Sequence, residues 1–569
     1  MHSQKISYSS GTGTTPLCGV TIGQRFDEVC QQFAQQEALV SIHQDKRFTY
    51  AELHQVVENV AANLLAMGLK PGDRLAIWSP NCWEWSVIQF ATAKAGIILV
   101  NLNPAYRAFE LEYVLNKVSC VGIIIAPTFK STNYEQILRS LAPELATLSS
   151  STSTPSLAKL PSLKYVIKLC KSDEGGIRDF ADLLQPASDE HLYKLHQIEN
   201  TLDCDDTINI QFTSGTTGQP KGTMLTHHGM LNNAIFVGQR LALTSQDRLC
   251  LPVPLFHCIG MVLGTLTACC YGAASIYTDY SFNVSTTLQG IESEKCTSIN
   301  AVPAMLIAML DHPDFKKYNY QSLRTGIAAG SPCPREIMVR VVNLMHLKDI
   351  TIAYGMTETS PVSIQSYVND SIEKRVSTVG RVQDHIEIKI INDQNKIVPL
   401  GERGELCVRG YSVMAGYWDD EAKTREVIDE HGWMHTGDIA QMDEEGYVQI
   451  TGRIKDMVIR GGENLFPKEI EEFLYKHPDI VDIQVVGVPD PKYGEELCAC
   501  IILKSEVEPN EEGIREFCKS QLSFHKIPRY FRFYKEFPMT ASGKIQKYRL
   551  REALIEELQI TATVFDNQS

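Results

Sequence analysis

An α/β fold in two domains of unequal size is what this chain predicts, and three observations carry the prediction. At 569 residues it is longer than one hydrophobic core can organise. Up to about Gly401, helix-period segments alternate with short buried-strand runs, the pattern of mostly parallel sheets. From Gly401 onward, short alternating strands and tight turns take over, as in a β-rich subdomain followed by an α+β unit. The expected division is a large α/β domain over residues 1–453 and a smaller α+β domain over 454–569, whose size suits a compact unit.

Each element has a local reason. Thr49 and Glu52 have capping-box spacing, and Leu53, Val56, Val57, Val60, Leu64 and Leu65 share one helical face until Gly68 stops it. Lys70-Pro-Gly-Asp73 turns the chain into a strand at Arg74–Trp78. Trp83–Ala95 reads as a helix, and Ile97–Val100 and Val121–Ala126 as short buried strands. Thr147–Pro155 is Ser/Thr-rich and reads as a surface loop. Leu249–Thr278 carries no Asp, Glu, Lys or Arg, yet prolines and glycines interrupt it. The apolar piece left from Met261 to Ile276 is short for a bilayer, so a buried helix beside a ligand pocket is expected. Near the C-terminal side, Asp438 to Arg453 reads as a hairpin. A Glu445-Gly446 loop sets Asp438 opposite Arg453 at roughly 5 to 8 Å between Cα atoms, and a register slip pairs Asp438 with Thr451 instead.

Composition narrows the function. The 44% hydrophobic and 21% charged content is that of an ordinary globular protein. A formal net charge of -15 argues against a nucleic-acid or anionic-membrane partner. Sixteen cysteines, without metal-like pairs apart from Cys269 beside Cys270 and Cys498 two before Cys500, read as reduced, mostly buried thiols. Zinc is not expected: no H-E-x-x-H occurs, and His431 and His435 only flank Gly-Trp-Met. With neither an apolar leader nor an arginine-rich one, the expected location is cytoplasmic, the mitochondrial matrix being the alternative. A homodimer is left open.

The chemistry concentrates at residues 213–222, Thr-Ser-Gly-Thr-Thr-Gly-Gln-Pro-Lys-Gly. Gly215 and Gly218 let backbone approach an oxyanion, Thr213, Ser214, Thr216 and Thr217 supply hydroxyls, and Lys221 supplies charge. Such a loop suits a polyphosphate, although it lacks the Walker spacing. Further runs follow in order: Ala-Gly-Ser-Pro at 329–332, Tyr-Gly-Met-Thr-Glu at 354–358, Thr-Gly-Asp at 436–438, Gly-Arg-Ile-Lys-Asp at 452–456, Arg-Gly-Gly-Glu-Asn at 460–464 and Ser-Gly-Lys at 542–544.

On these runs the chain resembles the adenylate-forming superfamily, which includes acyl-CoA synthetases, from about Val20 to near its end. The resemblance implies that family's fold with a mobile C-terminal domain, and an ATP-dependent carboxylate:CoA ligase acting on a fatty acid of medium chain length. ATP, Mg²⁺ and CoA are the implied cofactor and co-substrates, and the carboxylic acid, ATP and CoA are the partners. It implies that the 213–221 loop holds the β- and γ-phosphates, that Thr357 contacts the α-phosphate and that Glu358 binds Mg²⁺. Gly330, Ser331 and Pro332 fall on the adenine side, with Tyr354, followed by Gly355, stacking on the base. Asp438 and Arg453 are the implied ribose contacts, and Lys455 the hinge. Arg460, Gly461 and Gly462 would line the pantetheine path, Lys544 is the implied catalytic lysine of the first step, and His257 a gate at the acyl pocket. Taken alone, Asp438 and Arg453 read as a surface ion pair, Lys544 as a solvated charge and His257 as a core histidine. The alternative activity is an acyl-AMP ligase or an adenylation enzyme that loads a carrier protein.

Overall fold

The computed structural model describes residues 5–147, 156–170, 176–213, 219–330, 333, 335–461, 463–519, 522–540 and 545–558. Most of the expected Ser/Thr-rich loop and Ser214, Gly215, Thr216, Thr217, Gly218, Ser331, Pro332, Gly462 and Lys544 lie outside the described residues. The chain forms two compact units. The larger comprises Ser9–Glu387 and Val408–Met434, the smaller Met1–Tyr8, Ile388–Cys407 and His435–Ser569.

Two wide sheets build the larger unit. In one, the strands run in the order Arg178–Asp179, Tyr165–Lys168, Gly122–Ile125, Arg74–Trp78, Ile98–Asn101, Thr207–Thr213, Lys221–Thr226, Gly416–Tyr417. Pairing is parallel as far as Thr207–Thr213 and antiparallel for the last two strands. The other sheet has nine strands, and its centre, including Ser298–Ala301, Thr325–Ala329 and Asp349–Gly355, is parallel. Buried parallel strands of this kind read as continuous apolar runs such as Gly122–Ile125, which is buried throughout.

Local sequence explains the helices. Thr49 caps the Tyr50–Ala66 helix: its hydroxyl accepts from Glu52 N at 3.2 Å and the Glu52 carboxylate accepts from Thr49 N at 2.8 Å. Such a cap contributes about 1 kcal/mol. Trp83–Ala95 is buried on every side and ends where Gly96 takes φ +68. The Leu249–Thr278 stretch folds as short buried pieces, among them a π-wound turn at Met261–Leu266. There Val262 O accepts from the backbone N–H of Thr267, five residues on, and from the Thr267 hydroxyl at 2.9 Å. No helix among the described residues is long and apolar enough to cross a membrane.

In the smaller unit the strands Met434–Met442 and Val448–Arg453 pair antiparallel. The turn differs from the expected two-residue loop. Asp443 N donates to Tyr447 O at 3.0 Å and Gly446 adopts φ +82, so the loop has three residues, Glu444 to Gly446. A bulge between Ile439 and Ala440 then shifts the register by one and sets Asp438 opposite Arg453 after all. Beyond it lies an α+β unit whose centre is the long hairpin Ile480–Asp490 and Gly494–Leu503, with Tyr530–Phe533 pairing parallel to the second strand. The Pro467–Leu474 helix, started by Pro at its first position, buries Ile470 and Leu474 against Val458, Ile483 and Val485.

Candidate active site

The run expected to hold a polyphosphate lies between two antiparallel strands whose last paired residues are Thr213 and Lys221. Its two ends are therefore held in fixed register at the carboxyl end of a parallel strand, where open α/β sheets present ligands. Thr213 Oγ1 donates to Glu358 Oε1 at 3.2 Å, and the Tyr417 hydroxyl donates to the same oxygen at 3.0 Å. Lys221 Nζ lies 4.1 Å from the centroid of the Tyr417 ring. One carboxylate, two hydroxyls and one lysine thus converge.

Glu358 sits in a single tight turn, Thr357–Thr359, and is 6% exposed. Met414 N donates to its carbonyl at 2.9 Å, and Thr359 Oγ1 accepts from Met356 N at 3.1 Å, which fixes the turn from both sides. Gly355 is required just before it, since a Cβ there would lie 1.8 Å from Pro361 O. Among the described residues the side-chain donors to Glu358 are neutral hydroxyls; burying an ionised carboxylate on such donors costs several kcal/mol, which a cation offsets. The donor set is all oxygen, as a hard divalent cation such as Mg²⁺ prefers, so the residues present fit that ion. Burial and the Glu358 charge both push the Tyr417 hydroxyl well above its ordinary range and keep it a donor.

A buried polar chain supports the same place. The Cys258 thiol donates to Gln211 Oε1 at 3.2 Å, Gln211 Nε2 to Asn209 Oδ1 at 3.0 Å, and Asn209 Nδ2 to Asn101 Oδ1 at 2.9 Å. Asn101 Nδ2 in turn donates to Phe256 O at 3.0 Å, so the segment carrying His257 is tied to the sheet. His257 Nδ1 accepts from Ile259 N at 3.2 Å, which makes it a helix cap. Burial first, then the nearby Glu358 charge, raises the Cys258 thiol far above its usual range, so it is no nucleophile.

Gly330 and Tyr354 follow directly on Ala329 and Ala353, a paired couple on neighbouring parallel strands, and so lie side by side at the strand ends. Gly330 has φ +87, and a Cβ would meet Val302 at 3.3 Å. Tyr354 is half-buried and leads straight into the Glu358 turn.

In the smaller unit, Arg453 Nε donates to Asp438 Oδ1 at 2.8 Å; the Asp438 side chain is 5% exposed and that of Arg453 45%. Asp438 N donates to Thr436 Oγ1 at 3.1 Å, which fixes the Thr-Gly-Asp turn. Lys455 is exposed in the one-turn helix Ile454–Asp456. Arg460 is drawn into its own unit: its guanidinium pairs with buried Glu496 at 2.8 Å and donates to His525 O at 2.7 Å. Gly461, with φ +62, turns the chain between the paired residues Arg460 and Glu463. Lys544 itself lies outside the described residues, but its flanks Met539 and Ile545 form a bridge.

Sequence reasoning missed Tyr417, Gln211 and Cys258. Tyr417 reaches the cluster because its strand pairs with Thr223 at the sheet edge, and no spacing in the chain signals that.

Comparison with known proteins agrees with this geometry. Residues 26–418 match the AMP-binding enzyme family, and residues 469–544 match the AMP-binding enzyme C-terminal domain. A medium-chain acyl-CoA ligase ACSF2, mitochondrial, from Danio rerio is 46% identical over 555 residues, covering 97% of this chain and 91% of that one. The putative acyl-CoA synthetase YngI of Bacillus subtilis (strain 168) is 46% identical over 544 residues, covering 95% and 98%. Among solved structures, the anthranilate CoA ligase AuaEII in complex with anthranoyl-AMP superposes with a TM-score of 0.82 at 25% identity, covering 96% of this chain and 99% of that one.

Proposed function

We propose, from the premise that this chain belongs to the AMP-binding enzyme family and is an AMP-forming acyl-CoA synthetase using ATP and CoA, that it activates medium-chain fatty acids in two steps. In the first, a carboxylate oxygen bonds to the α-phosphorus of ATP while the bond from that phosphorus to the departing pyrophosphate breaks. In the second, the CoA thiolate bonds to the acyl carbon and AMP leaves. Such chemistry needs positioning and charge stabilisation more than a nucleophilic side chain.

The observation that carries this reading is the buried Glu358 carboxylate, held among the described residues by the Thr213 and Tyr417 hydroxyls beside Lys221. Glu358 would hold Mg²⁺, which when bound supplies positive charge to the triphosphate. Thr213 and Lys221, with Ser214, Thr216 and Thr217, hold the β- and γ-phosphates, and Thr357 contacts the α-phosphate. Gly330 and Tyr354 flank adenine, and Asp438 accepts from the ribose hydroxyls with Arg453 beside it. His257 borders the acyl pocket, and Met261, Leu263 and Leu266 supply its apolar wall. We assign Lys544 to the first step and a hinge to Lys455, with the division at 453/454 separating the part that swings. Arg460, Gly461 and Gly462 then serve the approach of pantetheine. The location we assign is cytoplasmic; the mitochondrial label of the Danio rerio relative supports the matrix as the alternative, and a reporter fused to the C-terminus separates the two.

The test is incubation with ATP, Mg²⁺, CoA and a panel of acids, with thioesters identified by mass. Medium-chain thioesters with AMP and pyrophosphate are expected. Pyrophosphate without any thioester would instead indicate an acyl-AMP ligase or a carrier-loading enzyme.

A further inference from the structure

The smaller unit holds a second cluster of chemistry-bearing side chains that the reaction does not use. Glu405 and Cys407 alternate on the Gly404–Gly410 strand and share one face, and His435, on the Met434–Met442 strand, meets both. Their ligand atoms all lie within 4.8 Å of one another. His435 Nδ1 is 2.8 Å from Glu405 Oε2 and 3.8 Å from Cys407 Sγ, so one ring nitrogen faces a carboxylate and a thiol together. The other carboxylate oxygen, Oε1, accepts from Gly437 N at 3.1 Å, which aims Oε2 at the ring. That bond is the kind of outer support that orients a metal-binding carboxylate.

We propose that Glu405 Oε2, Cys407 Sγ and His435 Nδ1 form a binding site for a borderline-soft divalent cation of the Zn²⁺ type, with water as fourth ligand. The inference is independent of the functional reading above. Tetrahedral zinc bound by N, O and S needs ligand-to-ligand separations of roughly 3.3 to 3.8 Å. The observed 2.8 and 3.8 Å bracket that range and the Glu405–Cys407 separation is within 4.8 Å, so side-chain adjustments on the order of an ångström complete the site. The sulfur and imidazole select against Mg²⁺, which the all-oxygen Glu358 centre suits. On binding, the thiol gives up its proton to solvent, and the imidazole proton moves to Nε2 so that Nδ1 can donate its lone pair. Two rigid strands present the three ligands in advance, and only Cys407 is fully buried, so an ion can enter past Glu405 and His435.

A second group of this kind, Cys204, Asp205 and His228 in the larger unit, is the natural control. It is weaker on two counts. Asp205 is exposed, and His228 Nδ1 already engages Asn232 Nδ2 at 3.2 Å.

Titration of the full chain with Co²⁺, followed by the thiolate-to-cobalt charge-transfer band and then by Zn²⁺ displacement, tests the proposal. A band saturating at about one equivalent, lost in Cys407→Ser and kept in Cys204→Ser, is expected. No band in the wild type, a band that survives Cys407→Ser, or one lost in Cys204→Ser overturns it. Should Cys407→Ser fail to fold, Glu405→Gln decides, because it keeps the Gly437 bond and the thiol. The band should persist with affinity at least about tenfold weaker, and unchanged affinity contradicts the site.

Discussion

Glu358 and Asp438 are equally removed from water, yet their partners differ in kind. Glu358 accepts from two neutral hydroxyls, whereas Asp438 receives an arginine Nε. The charge of a buried carboxylate held by neutral donors is poorly compensated and gains most from an incoming cation. One matched with a guanidinium is already compensated and is better suited to accept from neutral hydroxyls. The contrast supports the separate roles proposed for them, a cation for the first and ribose hydroxyls for the second.

Glu358→Gln breaks the contrast most severely. It preserves shape and hydroxyl contacts but removes the charge, and acid-dependent pyrophosphate exchange should fall on the order of 100- to 1000-fold. Raising Mg²⁺ should not restore it. Asp438→Asn should act on ATP binding instead, with kcat/KM for ATP falling roughly 10- to 100-fold, as for the loss of hydrogen bonds to a charged acceptor, while the response to Mg²⁺ stays unchanged. If both variants altered the Mg²⁺ titration alike, the two carboxylates would not have separate roles.

How far these residues were legible depends on the distance over which the chain had to be read. Thr213, Lys221, Tyr354 and Glu358 fall inside short runs, so local pattern nominates them. Tyr417 enters only because two strands meet at a sheet edge, and the Gln211–Cys258 bond only because a loop crosses the carboxyl ends of the strands. The Thr49 cap is a local hydrogen-bond exchange and is readable; the Trp83–Ala95 helix, buried on all sides, has no apolar stripe to mark it beyond its length and end signals. At the hairpin the facing of Asp438 and Arg453 was legible although its reason was not, since a longer turn and a bulge cancel. The zinc-type cluster draws Glu405 and Cys407 from one strand and His435 from another, so linear spacing between ligands carries no signal.

Smaller effects sharpen the same comparison. Tyr417→Phe removes one of the two hydroxyls on Glu358 while leaving the ring beneath Lys221, and a loss of roughly three- to tenfold in the exchange rate is expected. Its Mg²⁺ dependence should shift in the direction of Glu358→Gln. Arg453→Ala removes the half-exposed partner of Asp438. Because that carboxylate is buried, losing the guanidinium should lower the thermal midpoint as well as raise the KM for ATP, and an unmoved midpoint would contradict the compensation. In Lys544→Ala, adenylation should collapse while thioester formation from supplied acyl adenylate continues, and equal loss of both would contradict the two-posture mechanism.

The most direct measurement is exchange of labelled pyrophosphate into ATP with a medium-chain acid present and CoA withheld, in the wild type and in Glu358→Gln. Exchange in the wild type that disappears with the single change from carboxylate to amide is the predicted result. Exchange that needs CoA, or that continues undiminished without the Glu358 charge, would contradict the account.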